Sequence, residues 1–189
     1  KPFFMGPMNT KIVRRTNALL GYPYGEDFRY EEARLVGSGP AGWLKAKAEA
    51  IGYVGFVAAV AIPPTRWLLQ RYVLPESGEG PSRETRESGH WELILIGKMD
   101  DNTTMRARIT GQGDPATDST SRMLVESALC LAQDESLIPV GGGSWTPAGA
   151  MGDLLMPRLT ANAGMSFELD SVAPEGVRPQ AEIPSVAQR

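Results

Sequence analysis

Three glycines in "RLVGSGPAGWLKAKAEA", Arg34 to Ala50, raise the first chemical question. Gly37, Gly39 and Gly42 satisfy G-x-G-x-x-G, the pattern by which a strand-to-helix turn presents backbone N–H groups to a pyrophosphate. That chemistry needs a buried parallel strand before the turn and an acidic residue about 20 positions later to hold the ribose. The preceding residues, "RYEEARLV", carry four charges in eight positions, and "AVAIPPTRW" downstream offers neither acid nor strand. The glycines therefore read as a turn that reverses the chain into a helix. A dinucleotide or flavin at this loop is the weaker alternative.

Arg14 and Arg15 are the next candidates. Adjacent helical residues point about 100° apart, so at most one of the pair turns inward. Two readings stand: a solvated helix surface, or one guanidinium gripping a carboxylate or phosphate with its planar fork. "GGGSWTP" opens a helix, and Gly142, Gly143 and Thr146 form an anion-binding candidate through free N–H groups. It lacks the Gly-Lys-Ser/Thr of a P-loop, and capping by Thr146 ahead of Pro147 is the competing reading. Cys130 falls mid-helix near the apolar stripe, as a buried, inert thiol would. His90, the single histidine, reads as a surface or loop-packing residue, and Asp100 and Asp101 as turn residues. One histidine and one cysteine argue against a histidine-based metal site or an intrachain Cys-His-Asp triad.

These groups sit in an ordinary globular composition. The 189 residues are 42% hydrophobic and 22% charged with a net charge of −3, which argues against nucleic acid as partner. A lone cysteine excludes an internal disulfide framework and leads us to expect an intracellular, reducing compartment, cytoplasmic or organellar. The opening "KPFFMGPMNT" has neither an initiator Met nor a signal-peptide pattern, as expected of a mature or excised fragment.

The elements that must position the candidates follow from periodicity. Asn9–Leu20 is an amphipathic helix capped by Asn9 or Thr10. Residues 28–36 alternate partly and read as a strand. A long helix follows over 41–62, then a second over 65–73 after Pro63 and Pro64. "AIGYVGFVAAVAI", residues 50–62, is 13 residues against the ~20 of a spanning helix. It reads as a core helix, or as one lying on a membrane, with Trp43, Trp67 and Tyr72 as interfacial aromatics. Strands near 91–98 and 103–111 form a hairpin around "MDDN". A helix over 119–133, capped by Asp118 or Ser119, is expected to bury Met123, Leu124, Ala128, Leu131 and Ala132. A helix after Thr146 and a strand near 165–170 follow, then a proline-bearing tail over 173–189. The fold class is α+β: a twisted mixed, largely antiparallel sheet covered by helices, as one domain over 1–172.

The order and spacing of "NTKIVRRTNALLGYPYGEDFRYEE", "LPESGEGPSRETRESGHWELILIG", "ITGQGDPATDSTSRMLVESALCLAQD" and "GGGSWTPAGAMGDLLMPRL" resemble the C-terminal half of saccharopine dehydrogenase-like oxidoreductases. That group includes the bacterial trans-acting enoyl reductase type, and the resemblance runs from about Asn9 to Leu169. It implies the second, substrate and dimerisation domain of a two-domain dehydrogenase. The Rossmann domain would lie in a missing N-terminal segment or a companion chain. NAD(P) would be the cofactor of the full-length protein and would not be bound by this chain alone. A homodimer or larger assembly is implied, and the matching polar positions Asn9, Arg14, Arg15 and Asn17 become substrate- or cofactor-facing candidates. The long apolar helices favour a bulky or lipidic substrate. The alternative is a non-catalytic structural or lipid-surface module, in peripheral membrane contact through residues 50–62 or within a larger assembly.

Overall fold

The computed structural model describes residues 1–75 and 78–173. The chain falls into two compact units, one of residues 1–81 with 142–150, the other of residues 82–141 with the segment from Met151 onward. The expected tail lies, beyond its first residue, outside the described residues.

The first unit holds α1 (Gly6–Leu19), α2 (Gly39–Ala61) and α3 (Pro63–Tyr72). Helix α1 starts three residues before the expected cap. Met5 precedes it, and Pro7 occupies its first turn, where a missing N–H costs nothing. Asn9 therefore lies inside the helix, and its amide is used elsewhere. Residues 28–36 are not a strand. The segment makes one isolated bridge, Pro2 with Ala33, flanked by bonds from Phe3 N to Glu32 O and Arg34 N to Lys1 O. Its charges leave it no apolar face to bury, so it stays extended along the N-terminus instead of joining a sheet.

The glycine loop works on its own backbone. Gly37 and Gly39 adopt φ of 113° and 69°, the left-handed region open to glycine. Gly42 is buried, and a Cβ there would meet the Gly37 carbonyl at 2.6 Å. The loop folds onto Gly42, which is why that position has no side chain. Helix α2 then runs to Ala61, Ile62 N closes on Ala58 O, and Pro63 and Pro64 start α3 at a bend of 106°.

The second unit is built on an antiparallel sheet in the order β1 (His90–Lys98), β2 (Thr104–Gln112), β3 (Met165–Ala173). The β1–β2 hairpin turns where expected. Asp101 Oδ1 accepts from Thr103 N at 2.8 Å, and Asn102 takes φ of 62°. Strand β3 extends three residues past the expected end. Trp91 faces Gly111 across the hairpin, and its ring lies over the glycine so closely that a Cβ would fall 2.3 Å from it. The indole N–H then donates to the buried Ser119 hydroxyl at 2.9 Å, fastening the start of α5 (Asp118–Gln133) to the sheet.

Helix α5 buries a different face from the expected one. Ser119, Glu126 and Cys130 are buried, whereas Leu124 and Leu131 are 70% and 51% exposed and Ala128 and Ala132 are exposed as well. Only Met123 of the expected stripe is even half-buried. The reason is Arg158 on α6 (Pro147–Asn162), which reaches Glu126, Gln133 and Asp134 and draws the polar side of α5 inward. Neither Asp118 nor Ser119 caps α5. Thr117 precedes it, held by Asp114 Oδ2 through both its N–H and its hydroxyl. Beyond its first turn, α6 buries Met151, Leu155 and Leu159 at four-residue spacing, one face of a helix.

Candidate functional site

Helix α1 and the loop that follows it enclose a cleft of about 570 Å³. From α1 come Lys11, Arg14, Arg15 and Ala18, which recur at i, i+3, i+4 and i+7 and so share one face. From the loop come Tyr22, Glu26 and Phe28. A neighbouring depression of about 380 Å³ shares Arg14, Glu26 and Phe28 and continues along Arg29 and Tyr30.

The loop is shaped by backbone and by one buried side chain. Gly21, Tyr22 and Gly25 adopt positive φ, which turns the chain back along α1. Asn17, 3% exposed, clamps the turn. Its Nδ2 donates to Gly25 O at 2.8 Å and its Oδ1 accepts from Tyr24 N at 3.1 Å. Asn17 thus lines the cleft but has its amide committed to the fold.

The other candidates separate in the same way. Asn9 Nδ2 donates to both Glu32 oxygens, at 3.1 and 2.9 Å, and Glu32 Oε1 also accepts from Tyr30 Oη at 2.6 Å. Burial and this bond to a carboxylate push the Tyr30 phenol well above its ordinary range. Arg15 Nη2 donates to Ser144 O at 2.7 Å, and Thr16 Oγ1 meets Thr146 Oγ1 at 2.7 Å. Thr146, 5% exposed, also accepts from Gly149 N, as the cap of α6. In "GGGSWTP", Thr146 is used by capping and Ser144 by Arg15. Gly142 and Gly143 are exposed.

Arg14 is different. It lines both depressions, it is exposed, and among the described residues it has no hydrogen-bond or ion-pair partner. Three cations, Lys11, Arg14 and Arg15, face one carboxylate, Glu26, in the larger cleft. A guanidinium fork with a neighbouring ammonium, backed by the rings of Tyr22 and Phe28, suits a ligand with an anionic group joined to an apolar or planar body. Lys11, Tyr22, Glu26 and Phe28 were not among the candidates. Helical spacing from Arg14 and Arg15 points to Lys11, but nothing in the sequence signals the return of the loop.

The remaining chemistry-bearing residues hold the fold. Cys130 is buried, and burial followed by a bond to Asp134 pushes its thiol up, away from the reactive thiolate. Among the described residues no group of three or more His, Cys, Asp or Glu side chains is placed to hold a metal ion. The "GSGPAG" loop lacks the setting of a dinucleotide site: no strand precedes it, and α2 leads into a second helix instead of an acid-bearing strand.

The chain is 39% identical over 175 residues, 90% of its length, to a Mycobacterium tuberculosis protein provisionally named a trans-acting enoyl reductase. Its homologues are named trans-acting enoyl reductases. A Mycobacterium bovis protein of that name is 38% identical over 160 residues, and a Mycobacterium ulcerans one 36% over 160 residues, each alignment covering 83% of this chain. The chain spans about two fifths of these relatives, 41% of the first and 38% of the other two. No protein-family profile matches it, and no solved structure does.

Proposed function

We propose that this chain is the substrate-side and dimerisation part of an NAD(P)-dependent oxidoreductase of the saccharopine dehydrogenase-like group, reducing the double bond of a lipidic enoyl substrate. The nucleotide would be held by a Rossmann domain in another segment or a companion chain. The observation that carries this reading is the similarity, over most of the chain, to proteins named for enoyl reduction. Their names supply the reaction class, enoyl reduction, in which a hydride and a proton add across a C=C bond; in this reading a nicotinamide cofactor would be the hydride source. The glycine loop, with no strand before it, is not the site given to that cofactor in this reading.

What this chain supplies is a grip. Arg14, like Lys11, lines the α1 cleft with no side-chain partner among the described residues, and Arg15, fixed on Ser144, holds the wall beside it. In this reading the two take the anionic end of a substrate, such as the phosphates of a carrier thioester, while Tyr22 and Phe28 contact the body of the molecule. Asn9 and Asn17 shape the walls through their committed amides.

The test is binding of a long-chain 2-enoyl-coenzyme A to the 189-residue chain, followed by calorimetry. Arg14→Ala is expected to weaken binding about tenfold, equal to ~1.4 kcal/mol, and Arg14→Lys by less, because a point charge replaces part of the fork. Arg122→Ala, on α5, is expected to change nothing. Equal affinity for the chain and for Arg14→Ala would remove the cleft from the proposal.

A further inference from the structure

Helix α2 carries no charge from Ala50 to Ile62, and its side chains there are exposed except for the half-buried Ala59 and Val60. At 100° per residue, Ile51, Tyr53, Val54 and Phe56 point in four directions around the axis. They are 71%, 52%, 67% and 45% exposed. A helix docked in a protein groove shows one apolar stripe and one polar face, whereas a helix apolar all round is a buried or membrane helix. Among the described residues no single helix is long and apolar enough to cross a membrane. The uncharged stretch of 13 residues spans about 20 Å, against the ~30 Å of a hydrocarbon core.

The flanks name the partner. Trp43, Trp67 and Tyr72 stand at the ends of the apolar stretch and on α3, and all are exposed. Amphipathic rings of this kind gather at the headgroup level of a bilayer. Lys45, Lys47, Arg66 and Arg71 are the cations of the helix pair. Its one carboxylate, Glu49, is paired by Lys1, a contact that holds it well below its usual range. This excess of positive charge stands out in a chain whose net charge is −3. The bend of 106° at Pro63 sets α3 roughly at right angles to α2, a turn that lets both helices lie in one leaflet.

We infer that α2 and α3 form a one-leaflet membrane seat for a bilayer surface carrying anionic headgroups. The seat holds by burial of apolar side chains and by attraction to the lipid charge, the two terms of interfacial binding. It stands apart from the reductase reading, because flotation is read without substrate or cofactor.

Flotation of the 189-residue chain with vesicles tests it, using phosphatidylcholine alone and phosphatidylcholine mixed with phosphatidylglycerol. The chain is expected to float with the mixed vesicles, to float less with phosphatidylcholine alone, and to lose binding as salt rises. Val54→Glu with Val57→Glu is expected to lower recovery with the mixed vesicles about tenfold. Replacing Lys45, Lys47, Arg66 and Arg71 by Gln is expected to bring recovery down to that with phosphatidylcholine alone. Circular dichroism checks that the variants keep their helices. A measurement on the unaltered chain stands beside them: quenching of Trp43 and Trp67 emission by brominated lipid. A chain that floats with neither vesicle overturns the inference, as does equal flotation of the glutamate variant. So does an oligomer that does not float and that the glutamate pair dissociates, since a second copy of the chain then covers α2.

Discussion

At Arg158 three acceptors converge. Nε donates to Asp134 Oδ2 at 2.7 Å, Nη1 to Glu126 Oε2 at 3.2 Å and Nη2 to Gln133 Oε1 at 2.8 Å. The bond from Arg158 holds the Asp134 carboxyl below its ordinary range. A carboxyl depressed in the folded state stabilises that state above its unfolded value, near ~3.9, and the gain is lost as pH falls through the lower folded value. Arg158→Met keeps the volume and removes the donors, leaving the buried Glu126 unpaired. The urea midpoint of the variant is therefore expected to lie below that of the chain from about pH 5 upward, and the gap to narrow below about pH 4. A gap that stays constant down to pH 3 would contradict this account of the pairing. Arg158 itself was illegible beforehand. It sits after a proline in a helix whose one other charge is Asp153, and no local rule says that it reaches a second helix 24 to 32 residues earlier in the chain.

Helix α2 shows how differently two glycines of one element behave. At Gly42 an added Cβ meets the Gly37 carbonyl at 2.6 Å, and at Gly52 it meets nothing within 4 Å. Gly42→Ala is expected to cost about 1–3 kcal/mol, because backbone must give way. Gly52→Ala is expected to gain about 0.5–1 kcal/mol, as glycine in a helix interior loses to alanine. Urea titration of both variants checks the pair, and equal and opposite signs to those expected would mean that the loop does not close on Gly42. Element types were largely legible from the sequence: the two long helices, the hairpin around Asp101 and the capped helix after Thr146 all follow from period and turn chemistry. Residues 28–36 misled because aromatic and apolar residues alternate there in part, while the charges between them forbid a buried sheet position. The inward face of α5 misled for a related reason. Its Leu124–Ala128–Leu131 stripe has helical period, but polar contacts to Arg158 and Trp91 decide which side is covered.

For the whole molecule, the glycine fingerprint is where a pattern and its context part. Read as a string, it offers a dinucleotide site. Read with the charged segment before it and the missing acid after it, it becomes a turn, and the structure places no strand before it and a second helix after α2. The candidate site was half legible. Arg14 and Arg15 stand out by charge and helical position, whereas the wall opposite them depends on a loop folded by left-handed residues and clamped by Asn17. The relatives are more than twice as long as the part matched here, which is consistent with the proposed placing of the nucleotide in another segment. That division of labour is the central claim, and calorimetric titration of NADPH into the 189-residue chain tests it most directly. The account predicts no binding in the micromolar range, with 2-enoyl-coenzyme A binding intact in the same preparation. Micromolar NADPH affinity that Gly42→Ala abolishes would contradict it, and would return the cofactor to "GSGPAG".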